Sequence, residues 1–179
     1  DATVSLPGLF AQSPQGDSKV AELFEQLGVG TKREGQTVTL YQTHSCVKHL
    51  EYNFVNQPDL AQTFVVTCAM RGVTFRFSGL QSLKIKETDR MAALMAEMRK
   101  LGYVLEESEG SVLAWTGERC EPQNPPVIDT YEDHRMAMAF APAVLRLGAL
   151  CVRNPQVVSK SYPRFWEDLQ QAGFHLTQN

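Results

Sequence analysis

Two stretches of this chain follow one plan, and that plan limits what it can fold into. The first begins at Asp59, an acidic residue that opens a helix apolar almost all round (Leu60, Ala61, Phe64, Val65, Val66, Cys68, Ala69) and closed by Gly72. An alternating strand follows at Val73, Phe75 and Phe77, then the charged segment Lys84 to Arg90. Next comes an amphipathic helix with Met91, Leu94, Met95, Met98 and Leu101 on one face, ended by Gly102. A hairpin through Gly110 carries this copy to Trp115. The order returns at Asp133, with a nearly all-apolar helix from Met136 to Leu147, Gly148, a strand through Leu150 and Val152, then Lys160. A last amphipathic helix starts near Pro163, with Phe165, Trp166, Leu169 and Ala172 on its stripe before Gly173. A helix that is apolar all round must be covered on every side, so the copies are expected to pack together around these helices. Residues Gln15 to Tyr41, a helix (Val20, Leu23, Phe24, Leu27) and a hairpin around Gly35, match only the second half of a unit.

The chain of 179 residues is expected to form a single domain over 1–179, large enough for a proper core. A net charge of -3 and pI near 5.8 argue against a nucleic acid or an anionic membrane as partner. No apolar run reaches membrane-spanning length, and the opening Asp1-Ala2-Thr3-Val4 is unlike a signal peptide. Cys46, Cys68, Cys120 and Cys151 lie far apart without a CxxC pair, which fits free thiols and a cytoplasmic location. His44, Cys46 and His49 have the residue types of a metal site but lack a fourth ligand, so no metal is expected. Arg119 to Pro126 reads as a Pro-rich surface loop.

Positive charge is gathered locally, at Lys84 to Arg90 and from Arg153 to Arg164. Leu83 and Ile85 alternate with Lys84 and Lys86, which predicts a short strand running into a helix whose first turn holds Glu87 and Arg90. Residues three apart on a helix are neighbours, so these two face one spot beside unpaired N–H groups that attract anions. Read alone, each group also has a plain structural role. Asp59 and Asp133 suit helix caps, His134 a packed core position, and Lys160 a solvated surface.

The stretch Lys86-Glu87-Thr88-Asp89-Arg90 with its following helix, and Tyr131-Glu132-Asp133-His134-Arg135-Met136-Ala137-Met138, change that balance. With Gln15-Gly16-Asp17, Pro58-Asp59 and Ser159-Lys160-Ser161-Tyr162-Pro163, they form five ordered matches over nearly the whole chain. In these the sequence resembles 5-enolpyruvylshikimate-3-phosphate synthase (3-phosphoshikimate 1-carboxyvinyltransferase), and only that family's C-terminal half. The resemblance implies an α/β (α+β) fold of repeated βαβαββ units, with buried parallel helices inside and sheets outside. It implies phosphoenolpyruvate and shikimate 3-phosphate as substrates, the absent N-terminal domain as partner, and no metal or organic cofactor. Carried over residue by residue, Asp59 stands beside the shikimate hydroxyls and Glu87 near the phosphoenolpyruvate methylene. Lys86 contacts the shikimate side, and Arg90, Arg135 and Lys160 clamp the phosphoenolpyruvate anion. Ser82 stands where some members carry an asparagine against the sugar phosphate, and His134 is a candidate substrate contact. The runner-up readings are a non-catalytic anion-binding module of the same fold, and the related transferase acting on UDP-N-acetylglucosamine. Half of the implied ligands are absent, so the chain alone is expected to be inactive. Asp59, Glu87, Arg90, Arg135 and Lys160, spread over a hundred positions, are expected on one face.

Overall fold

A computed structural model of the chain describes residues 3–9, 16–85 and 89–177. β1 (Thr3–Pro7), α1 (Val20–Gln26), β2 (Val29–Glu34) and β3 (Thr37–Gln42) come first, with the strands in an antiparallel sheet of order β1-β3-β2. Then follow β4 (His49–Asn53), α2 (Ala61–Arg71), β5 (Thr74–Ser78), α3 (Arg90–Lys100), β6 (Glu106–Ser108) and β7 (Val112–Trp115). These make a complete βαβαββ unit of order β4-β5-β7-β6, in which β4 runs parallel to β5 and the other pairs are antiparallel. The last stretch holds β8 (Val127–Ile128), α4 (His134–Phe140), α5 (Val144–Leu147), β9 (Cys151–Val152) and α6 (Phe165–Gln171), with β8 parallel to β9. In the first sheet β1 pairs with β3 as β5 pairs with β7. The opening segment therefore reproduces the second half of a unit, as its pattern predicts.

The repeat follows from where apolar surface has to go. α2 buries Ala61, Gln62, Phe64, Val65, Val66, Cys68, Ala69 and Met70, and packs against α3, α4 and β5. It stops at Gly72, which takes the left-handed conformation (φ +71°) that lets Val73 N–H reach back to the Cys68 carbonyl at 2.9 Å. Below it lie the fully buried rings of Phe54, Phe64, Phe75 and Phe77, with Phe54 set edge-on to Phe77 at 5.0 Å. A smaller cluster of Ala137, Ala141, Val157, Val158 and Phe165 joins α4 to the turn Pro155–Lys160 and to α6. Among the described residues no helix is long and apolar enough to cross a membrane.

Three details differ from the sequence reading. Gln81–Ile85, where the strand is expected to begin, is a short 3-10 helix. Leu83 is wholly buried while Ile85 is 84% exposed, whereas residues two apart on a strand share a face. α3 opens at Arg90 with Asp89 as its cap, the Asp89 carboxylate accepting Ala92 N–H at 3.0 Å. Lys86, Glu87 and Thr88 lie outside the described residues. The helix expected over Met136 to Leu147 is broken at Ala141–Ala143, because Pro142 has no N–H to give the helix ladder. Finally, no strand follows α6 among the described residues.

Each copy also starts one strand earlier than its acidic residue, at β4 and at β8. β4 meets β5 through a close crossing at Gly79, where φ is +73° and an added Cβ would stand 2.6 Å from the Val55 nitrogen. Gly79→Ala is expected to cost about 1–3 kcal/mol, from left-handed strain and from pushing on backbone that has nowhere to go. Urea titration checks this, as a lower midpoint at unchanged slope.

Candidate active site

The ends of three helices meet at one row of charges. Asp59 lies in the 3-10 turn Pro58–Leu60 that leads into α2. Its Oδ1 accepts from Arg90 Nη1 at 2.9 Å and its Oδ2 from Arg135 Nη2 at 2.8 Å. Arg135 Nη1 also donates to the Asp59 carbonyl at 3.2 Å. Arg90, the first residue of α3, turns its Nε to Asp133 Oδ2 at 2.6 Å. Asp133 caps α4 by accepting Arg135 N–H at 2.9 Å, and Gln62 of α2 donates to the same carboxylate at 3.3 Å. Acid and base thus alternate in the order Asp133, Arg90, Asp59, Arg135.

The two ends of this row differ in access to water. The Arg90 and Asp133 side chains are 2% and 0% exposed, whereas those of Asp59 and Arg135 are 29% and 30% exposed. Taking a guanidinium out of water is costly, and close carboxylates with good geometry are what offset it. The inner end therefore fixes three helices against one another, and the outer end opens on a cleft. That cleft, of about 250 Å³, is lined by Asp59, Thr63, His134, Arg135, Met138, Ser161 and Tyr162. His134 Nδ1 stands 3.9 Å from Asp133 Oδ1. The Tyr162 hydroxyl donates to Asp168 Oδ2 at 2.6 Å, which raises its pKa and leaves the ring fixed at the rim.

The sequence candidates fall into three groups. Asp59, Arg90 and Arg135 are brought into direct contact, and His134 lines the same cleft. Lys160 ends the turn Pro155–Lys160 with its side chain exposed, next to the cleft residues Ser161 and Tyr162. Ser82, half-buried in the turn before α3, is not a lining residue of this cleft, and Lys86 and Glu87 lie outside the described residues. Among the described residues no group of three or more His, Cys, Asp or Glu is placed to hold a metal. Sequence reasoning missed Gln62, Thr63, Met138, Ser161 and Tyr162, and took Asp133 for a cap alone. A polar Gln62 inside an otherwise apolar helix was the available signal for the first of these.

A second polar cluster holds the segment that presents Asp133 and Arg135. Glu97, two turns along α3 from Arg90, has a fully buried side chain. It accepts from the Tyr131 hydroxyl at 2.7 Å and from Asp129 N–H at 3.1 Å, and pairs with Lys100 at 2.7 Å. Tyr131 and Glu132 both take left-handed conformations, with φ of 52° and 56°. Burial and the neighbouring Glu97 carboxylate push the Tyr131 pKa well up, so the hydroxyl remains a donor at all ordinary pH. Lys100 Nζ and Arg153 Nη1 each donate to Asp129, at 2.7 and 3.0 Å, and hold its carboxyl below the usual 3.8.

Comparison with known proteins now bears on this arrangement. The sequence model of the family described as EPSP synthase (3-phosphoshikimate 1-carboxyvinyltransferase) matches residues 1–169. The chain belongs to the EPSP synthase family. It is 58% identical over 175 residues to a 3-phosphoshikimate 1-carboxyvinyltransferase of Bacteroides fragilis, a match covering 98% of this chain and 43% of that protein. A tobacco (Nicotiana tabacum) relative of the same name is 34% identical over 97% of this chain and 52% of its own length. The chain therefore spans about half, or less, of the length of the relatives it matches. Its fold is that of the EPSP synthase from Acinetobacter baumannii, with a TM-score of 0.70 at 20% identity, covering 98% of this chain and 43% of that one. The enolpyruvyl transferase NikO from Streptomyces tendae follows at a TM-score of 0.59 and 18% identity, over 97% of this chain and 39% of that one.

Two outcomes follow from the charge row and its support. Asp133→Ala takes the carboxylate from Arg90 Nε, the cap from α4 and the acceptor from Gln62; a loss of about 3–5 kcal/mol is expected in denaturant unfolding. Asp129 has a depressed folded-state pKa, so its contribution is complete above the usual carboxylate value and fades as pH falls through the folded value. Asp129→Asn should therefore be less stable near neutrality and flatter on the acid limb, below about pH 4, than the parent chain. Unfolding midpoints measured from pH 3 to 7 check the sign.

Proposed function

We propose that this chain supplies one wall of an enolpyruvyl transfer site, in a protein that joins phosphoenolpyruvate to the 5-hydroxyl of shikimate 3-phosphate and releases inorganic phosphate. The observation that carries the reading is the meeting of one carboxylate, Asp59, with two guanidiniums, Arg90 and Arg135, at a single cleft. The names of the Bacteroides and tobacco relatives supply the reaction.

The chemistry assigns each group a task. The attacking hydroxyl oxygen bonds to the second carbon of phosphoenolpyruvate and loses its proton, while the methylene carbon gains one. The resulting tetrahedral adduct loses phosphate and a methyl proton, and the enol double bond returns. Asp59 is assigned to accept the hydroxyl proton. Glu87 is assigned to the methylene, on sequence alone. Arg90, Arg135 and Lys160 take the carboxylate and phosphate of phosphoenolpyruvate, where planar guanidinium forks suit paired oxygens and lysine acts as a mobile point charge. His134 is a further contact at the cleft wall, and Lys86 serves the shikimate side. The half-open cleft has water on one side, where unit charges in contact attract by only about 1 kcal/mol. Closure by the opposite domain strengthens those attractions and aligns the reactants, an effect of up to roughly 7–11 kcal/mol.

The isolated chain should therefore release no phosphate from the two substrates together, and robust release would overturn the half-site reading. Grafted in place of the matching stretch of the Bacteroides fragilis relative, it should support turnover. In that chimera Arg135→Lys should raise the phosphoenolpyruvate KM, by roughly tenfold or more, through loss of the fork. An unchanged KM would remove Arg135 from the clamp.

A further inference from the structure

We propose that Asp59 occupies the anion position of its own site, so that an anionic ligand binds only by exchanging with this carboxylate. The inference rests on the anion-site reading above and adds a competition to it. Asp59 spans two guanidiniums with one oxygen on each, at 2.9 Å from Arg90 Nη1 and 2.8 Å from Arg135 Nη2. A free carboxylate or phosphate would bridge paired forks in the same way. The two acids on Arg90 are not equivalent in this respect. Asp133 is fully buried and also caps α4, so it stays; Asp59 is 29% exposed at the cleft wall and can turn away.

Two consequences follow. The apparent affinity for an anion is lowered by the fraction of time that Asp59 holds the forks. Exchange also frees the Asp59 oxygens to accept a substrate hydroxyl, so that filling the anion position and readying the acceptor are one event. By reciprocity, a ligand that draws Asp59 away through its hydroxyls strengthens anion binding by the same factor.

Inorganic phosphate is the probe, titrated into the chain while NMR follows the Arg135 guanidinium and the Asp59 carboxyl carbon. The expected result is that both signals move with one midpoint. Asp59→Asn, which keeps the shape and removes the charge, should bind phosphate more tightly, on the order of tenfold. Glu51→Gln is the control: it makes the same net-charge change on exposed β4, beside Arg76, and should leave the affinity unchanged. Arginine signals that move while Asp59 stays still would overturn the exchange. So would an Asp59→Asn chain that binds no more tightly than the parent. Silence of the arginine signals in parent and variant alike would overturn the anion-site reading, and this inference with it.

Discussion

The ion pair between Arg90 and Asp133 is the constraint on which the rest of the structure leans. Both side chains are withdrawn from water, and at 2.6 Å they form a charge-assisted hydrogen bond in apolar surroundings. Such a pair adds little net stability over a well-packed apolar substitute, but removing one member is severe. Its value here lies in register. Arg90 begins α3 and Asp133 caps α4, while Gln62 of α2 donates to the same carboxylate, so three helices share one point of reference. Any slide of α2 past α4 would break a buried hydrogen bond, and apolar contacts alone would tolerate a small one.

The open end of the row inherits that precision. Asp59 lies in the short 3-10 turn that leads into α2, and Arg135 in the first turn of α4, both at helix ends where side chains have fewer neighbours to hold them. They are held because Arg90 reaches Asp59 from a fixed position and because Asp133 grips the Arg135 amide. The repeat thus gives equivalent acids, Asp59 and Asp133, unequal fates. One is sealed among α2, α3 and α4; the other faces the cleft.

Much of this was legible in the sequence because burial writes itself as periodicity. The all-apolar run of α2, the Met91 to Leu101 stripe and the Gly72 stop each have a single physical solution. The charged motifs marked where the row of charges lies, since Arg90 and Arg135 each stand at the start of a helix. What failed was local: Leu83 and Ile85 alternate as a strand would, yet the chain turns there, because burying Leu83 under α3 outweighs the β-propensity of a few residues. β8 was missed because its two residues, Val127–Ile128, show no period, and β4 because only Leu50 of its five residues is buried. The partnership of Asp133 with Arg90 spans 43 positions and leaves no trace in local pattern.

The left-handed pair Tyr131 and Glu132 ties the history of this loop to a residue far from it. Two successive non-glycine residues with positive φ are strained on their own, and the hydrogen bond from the Tyr131 hydroxyl to buried Glu97 helps keep them so. Remove the carboxylate, and the Tyr131 hydroxyl loses its acceptor; remove the phenol, and a carboxylate is left sealed beside fewer donors. Positions 97 and 131 are therefore expected to drift as a unit through related sequences, each tolerating change only when the other changes with it.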